Sequence, residues 1–179
     1  MTTNDVLRLF LDIRREAFRL EQLERYAVEE DDELLAAWRE GRSIRRTPAD
    51  SAWLRLIADH TAAGRRVYRV HVIDWPLSEY TRFELACYPD NVAAGEEVYL
   101  VDRDAAPALA ALAEDFWLFD DEAAALMPYD HDGRPLDPEP ATDVAAYRAR
   151  RDVALAHALP LDEWLTAHRD QLEELRKSA

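Results

Sequence analysis

Two groups of residues in this chain have types and spacing that could do chemistry. The first lies in GRRVYRVHVID and YTRFELACY, where Arg69 and His71, then Arg82 and Glu84, recur at every second position of a β-rich run. A strand turns every second side chain to one face, so the four share a surface if the runs are neighbouring strands. Arg69 and Arg82 would then pair an anionic group, with Trp75 and Tyr80 of the connecting DWPLSEY at the rim. The same residues also suit a plain cross-strand ion pair, worth under about 1 kcal/mol when exposed. The second group, Glu114, Asp115, Asp120 and Asp121, brackets DFWLF. Such acids could work as general acid and base, with or without a metal ion. In a chain with 33% charged residues, however, carboxylate pairs arise from composition alone.

Other chemistry is absent. There is no glycine-rich phosphate loop, nucleophile elbow or zinc-protease helix, and 4 glycines are few for a backbone-lined phosphate cradle. The run Asp130-His131-Asp132-Gly133 fails as a calcium loop, because the EF-hand frame puts Pro128 at the first ligand position. His60, alone at a helix edge, reads as structural. No cofactor, metal ligand set or catalytic residue is assigned.

Charge and cysteine content narrow the partners. With 22 basic and 37 acidic residues, the formal charge of -15 repels nucleic acid and anionic lipid. It suits a protein partner with a basic surface. The only cysteine, Cys87, rules out an internal disulfide and a cysteine zinc cluster. The charged N-terminus lacks a signal-peptide core and no apolar run reaches membrane-spanning length, so a cytoplasmic protein is expected.

The elements that must position these residues follow from periodicity and caps. Val6, Leu9, Phe10, Ile13, Ala17, Leu20 and Leu23 recur at helical spacing and predict an amphipathic helix over 4–25, its solvated face carrying Arg14, Arg15 and Arg19. Helices are expected over 32–38, stopped by Gly41, and over 49–63, stopped by Gly64. Strands follow in RRVYRVHVID, YTRFELACY, EVYLVDR and DFWLF, with an Ala/Leu helix over 105–113 making a βαβ crossover. Asp121-Glu122 and Asp132-Gly133 signal turns. After the proline-rich connection 134–142 come a helix capped by Thr142 or Asp143 and a last helix over 161–176, with ELRKSA fraying. The fold class is α/β, or mixed α+β: one domain over 1–179, helical over residues 1–63, with a sheet core of five to six strands over 64–134 and C-terminal helices over 142–176.

Taken together, RLEQLERY, WREG, RVYRVHVIDWPLSEYTRFEL, NVAAGEEVYLVDR and DFWLFDDEAAALMPYDHDGRP resemble an uncharacterised family of small actinobacterial proteins, over nearly the whole chain. Genes of that family often lie beside helix-turn-helix regulators, which implies a regulatory or signalling role and supplies no catalytic residue. The order of a strand, a short helix, a strand ending in DD, a hairpin and a final helix also looks like phospholipase-D-like sensor domains. Active members need His-x-Lys with an aspartate five residues after the lysine. Here Ala113 and Asp115, or Glu114 and Phe116, occupy those places, which implies a non-catalytic relative. The expected function is a non-enzymatic regulator or sensor binding a partner protein, such as a helix-turn-helix regulator, or a small anionic ligand through Arg69, His71, Tyr80, Arg82 and Glu84. The alternative is an enzyme or toxin using the carboxylates at 114–121.

Overall fold

The computed structural model describes residues 1–177; of the end expected to fray, residues 178 and 179 lie outside the described residues. Its centre is one mixed sheet. Strands β1 (Glu16–Glu21), β2 (Arg66–Ile73) and β3 (Glu97–Asp102) run parallel, and β4 (Phe116–Phe119) lies antiparallel beside β1. Beyond β4 come β5 (Ala123–Leu126) and β6 (Glu139–Pro140), and β7 (Leu159–Pro160) closes the other edge, giving the order β6-β5-β4-β1-β2-β3-β7. Seven strands replace the expected five to six. The additional edge strands are two residues long and contain proline, which leaves little alternation to read and fits an edge position.

Helices cover both faces. On one face α5 (Val144–His157) lies over Phe18, Leu20, Tyr68, Val70, Val72, Phe116 and Leu118. On the other sit α1 (Thr3–Asp12), α3 (Ala52–Ala62) and α4 (Glu79–Ala94), with α2 (Glu29–Arg39) packed on α4. The final helical stretch is split at His168 into α6 (Leu161–Ala167) and α7 (Arg169–Lys177). No helix among the described residues is long and apolar enough to cross a membrane.

Three expectations are corrected. The helix predicted over 4–25 ends at Asp12, and the chain re-enters as β1, so residues 1–63 are not purely helical. Leu20 and Phe18 fit either period, and six residues of register with β2 decide for the strand. Arg19, expected on a solvated helix face, is consequently buried.

YTRFELACY is helix α4, not a strand. Thr81, Phe83, Leu85 and Cys87 alternate, but Tyr80, Glu84, Tyr88 and Asn91 also form a helical stripe. Ser78 caps the helix by accepting from the Thr81 amide, and Gly95 ends it at φ +107. A crossover between parallel neighbours needs such a helix, and α4 supplies it between β2 and β3. The expected 105–113 helix is two 3-10 turns, Arg103–Ala105 and Leu109–Ala111, separated around Pro107. The chain therefore crosses the sheet and returns antiparallel as β4.

Candidate functional site

Strand alternation decides where the charges lie. With Phe18, Leu20, Tyr68 and Val70 facing α5, Arg19 and Glu21 of β1 and Arg69 and His71 of β2 must face α4. Arg69 and His71 share one face of β2, as their two-residue spacing predicts. The stripe Tyr80, Glu84, Tyr88 and Asn91 of α4 descends onto that mixed face, so Glu84 meets His71 by a helix on a sheet rather than across two strands.

The result is a desolvated ion network. Arg69 is 7% exposed and donates from Nε to Glu96 Oε1 at 2.6 Å and from Nη1 to Glu21 Oε2 at 2.8 Å. Arg19, 3% exposed, donates from Nη2 to Asp115 Oδ2 at 3.0 Å and to Tyr129 Oη at 2.8 Å, and from Nε to Glu21 Oε1 at 3.4 Å. Tyr26 Oη donates to Asp115 Oδ2 at 2.6 Å, and Asn91 Nδ2 to Glu96 Oε2 at 2.7 Å. His71 Nδ1 lies 2.7 Å from Tyr88 Oη and 3.8 Å from Glu84 Oε2. Two guanidiniums thus face four carboxylates, Glu21, Glu84, Glu96 and Asp115.

Their protonation follows from burial and from which acids the arginines reach. Burial raises the Glu21 carboxyl, but Arg69 and Arg19 beside it prevail and hold it at about 2. Burial pushes Asp115 up to about 6 despite Arg19. Glu84 is left over: burial first, and the Glu21 charge second, push it well above the usual carboxylate range. Its Oε2 is buried with no hydrogen-bond partner. Burial lowers His71 to about 4, so the imidazole is neutral at pH 7.

A cavity of about 730 Å³ opens between this face and helices α2, α3 and α4. Glu21, Arg69 and Glu84 line its polar end, and the aromatic rings of Tyr26, Trp53, Tyr80, Phe83, Tyr88 and Tyr129 line its walls. Arg46, in the loop between α2 and α3, is a further polar lining residue, and its Nε is buried without a partner.

Of the residues expected to bind, Arg69, Tyr80 and Glu84 line the cavity and His71 lies behind Glu84. Tyr80 is buried rather than at a rim, its hydroxyl donating to Asp31 at 2.6 Å. Arg82 does not line the cavity, because α4 turns it away from the Glu84 stripe. The anion cradle of Arg69 and Arg82 is therefore corrected: Arg69 is neutralised by two carboxylates, and Arg82 is elsewhere. Trp75 stacks on Trp164, at 6.0 Å between ring centres, and bonds Asp102. His60 is buried near Phe10 and Arg65.

The second group is not a cluster. Asp115 belongs to the buried network, while Glu114 on the adjoining turn pairs with Arg150. At the far end of β4, about 16 Å away by strand rise, Asp120 accepts from the amides of Arg14, Arg15 and Glu16 at 2.8–2.9 Å, and Asp121 pairs with Arg151 at 2.5 Å. Asp120 and Asp121 have φ of 53° and 62°, the β4–β5 turn itself. Strand length separates what sequence proximity joins.

Three side chains of metal-ligand type do converge elsewhere. Glu21, His71 and Glu84 each bring one donor atom within 4.8 Å of the others. A metal ion there would compete with Arg69 and Arg19 for Glu21 and with Tyr88 for His71. Asp130, His131 and Asp132 also converge, in an exposed turn where Asp130 accepts from the amides of Asp132 and Arg134 at 2.9 Å.

Sequence reasoning missed Arg19, Glu21 and Arg46. The first two had a signal, the alternation of Ala17-Phe18-Arg19-Leu20-Glu21. Arg46 had none, since a loop carries no period.

Fold and site define a class of protein: a mixed α/β domain with a charged, aromatic-walled cavity on one face of its sheet. Its family lies within that class. The chain belongs to the family described as a domain of unknown function, DUF6879, whose model matches residues 4–166. No curated protein matches it.

Proposed function

We propose that this protein is a non-enzymatic sensor that binds a small molecule in the cavity over Glu84 and passes the bound state to a protein partner. One observation carries the reading: a Glu84 carboxyl oxygen without a hydrogen-bond partner among the described residues, in the wall of a ligand-sized cavity. Such a group is costly to bury unmet, and a ligand donor that takes up its oxygen while the acid gives its proton to solvent would complete it. The surrounding charge makes a cationic donor the better complement, and the aromatic walls suit a protonated amine. The ligand expected from the arginines alone changes sign.

The cavity chemistry argues against the enzyme or toxin reading. Burial pushes the Cys87 thiol up to about 12, away from a reactive thiolate, and His71 is held neutral behind Glu84. The carboxylates at 114, 115, 120 and 121 serve separate structural contacts. A kinship with phospholipase-D-like sensor domains would agree with a non-catalytic role.

The partner is a protein with a basic surface, such as a helix-turn-helix regulator encoded nearby, because a charge of -15 steers such partners towards this chain. The test is a thermal-shift screen of small amines and small carboxylates. Amines that raise the melting temperature of the wild type and not of Glu84→Gln support the site. A shift by carboxylates alone, retained in Glu84→Gln, would sink it. Size-exclusion chromatography with light scattering, on the protein mixed with the neighbouring regulator, tests the partner: separate elution at micromolar concentration removes it.

A further inference from the structure

Among the described residues, the cavity wall contains two buried polar atoms with no hydrogen-bond partner, and they are opposite in kind. Glu84 Oε2 belongs to an acid, an acceptor once ionised, and Arg46 Nε is a donor. Arg69, the other arginine of the lining, is held by Glu21 and Glu96. Arg46 makes no ion pair among the described residues, although an acid is close by. Asp90, buried on α4, accepts the Arg46 backbone amide at Oδ2, 2.8 Å away, and pairs at Oδ1 with Arg45, also at 2.8 Å. Asp90 thus fixes the loop to the helix and leaves the Arg46 guanidinium uncompensated.

We propose that the ligand is a zwitterion, with an ammonium group over Glu84, a carboxylate at Arg46, and an apolar spacer against the aromatic walls. This rests on the ligand-cavity reading above. The poles lie along α4. Arg46 is anchored through its backbone amide at Asp90, six residues beyond Glu84 on the same helix. Six residues of helix rise about 9 Å, so a ligand that reaches from one anchor to the other holds its charges well apart. An α-amino acid, with both charges on one carbon, is too short; an ω-amino acid or an aminomethyl-arene carboxylate spans the distance.

Isothermal titration of the full chain with 4-(aminomethyl)benzoate, benzylamine and benzoate separates the possibilities, because the three share one ring and differ only in poles. The zwitterion is expected to bind at least about tenfold tighter than either single-pole analogue, as a charge-assisted hydrogen bond at the second pole would give. Arg46→Met should erase the advantage over benzylamine, and Glu84→Gln the advantage over benzoate. Melting curves of both variants identify any loss that comes from misfolding, and in that event Arg46→Gln and Glu84→Ala replace them.

If benzylamine binds as tightly as the zwitterion and Arg46→Met changes nothing, the zwitterion is wrong while the amine site stands. If none of the three binds the wild type at millimolar concentration, both the zwitterion and the amine site are wrong. A separate titration with zinc alone closes the remaining case. Stabilisation of the wild type and not of Glu84→Gln assigns the carboxylate to a metal ion and overturns the zwitterion.

Discussion

The two faces of the sheet are made by the same strands and by opposite means. Beneath α5, Phe18, Leu20, Tyr68, Val70 and Leu118 are at most 1% exposed and pack in one apolar cluster with the helix. Burial of each such side chain stabilises by about 1.5–3 kcal/mol. Beneath α4, the intervening positions hold Arg19, Glu21, Arg69 and His71, where each ion costs several kcal/mol to desolvate and ion pairing offsets rather than exceeds that cost. The first face is filled and the second leaves a cavity. The contrast teaches that the α5 face is held by apolar burial throughout, whereas on the other face apolar clusters surround a charged centre that is better explained by what it binds.

The largest effect should come from unbalancing the charged face. Arg69→Met leaves Glu21 and Glu96 buried without their cation and should destabilise by about 3–5 kcal/mol. Urea denaturation measures it. A loss below about 1 kcal/mol would mean that the network is hydrated, and the contrast between the faces would disappear.

On the filled face, Leu118→Ala removes a side chain that is 1% exposed and should cost about 3 kcal/mol. It should also leave amine binding unchanged, since no residue of that apolar cluster's sheet face lines the cavity. A binding defect matching that of Glu84→Gln would show that the faces are coupled through the sheet.

A smaller effect distinguishes Glu84 from its neighbours by pH. Its folded-state carboxyl lies well above the ordinary range, so between the two values the native state keeps a proton that the unfolded chain releases. Stability from this group is full below the ordinary carboxylate range and is lost as pH rises. Asp115, at about 6, acts in the same direction, whereas Glu21, at about 2, adds stability that is lost only as pH falls towards that value. Glu84→Gln should therefore flatten the decline in melting temperature above about pH 4.5. An unchanged slope would show that Glu84 is ionised and solvated.

How much of this was legible depends on period. The common face of Arg69 and His71, the turn that follows DFWLF and the helix stops at Gly41 and Gly64 could be read, because local geometry demands them. Arg69 and Glu84 could be singled out as polar groups in an apolar context. Their relation could not, because Thr81, Phe83, Leu85 and Cys87 alternate as in a strand while Tyr80, Glu84, Tyr88 and Asn91 repeat as in a helix. Only the need for a crossover between β2 and β3 decides between them, and that is a property of the sheet. Arg46 reaches the cavity because Asp90 holds its amide, a contact spanning 44 residues that leaves no local trace.

The smallest expected effect is the sharpest test of that ambiguity. Arg82 and Glu84 share a face only if the segment is a strand. On α4 a separation of two residues is about 200° of rotation, so Glu84 enters the cavity and Arg82 does not. Arg82→Ala should change the affinity for any cavity ligand by no more than about 0.5 kcal/mol, roughly twofold, in the titration that detects a loss in Glu84→Gln. A tenfold loss in Arg82→Ala would instead place both side chains on the ligand. The charged face would then be the pleated surface that the alternation suggests, and the cavity beneath α4 would lose its claim to be the site.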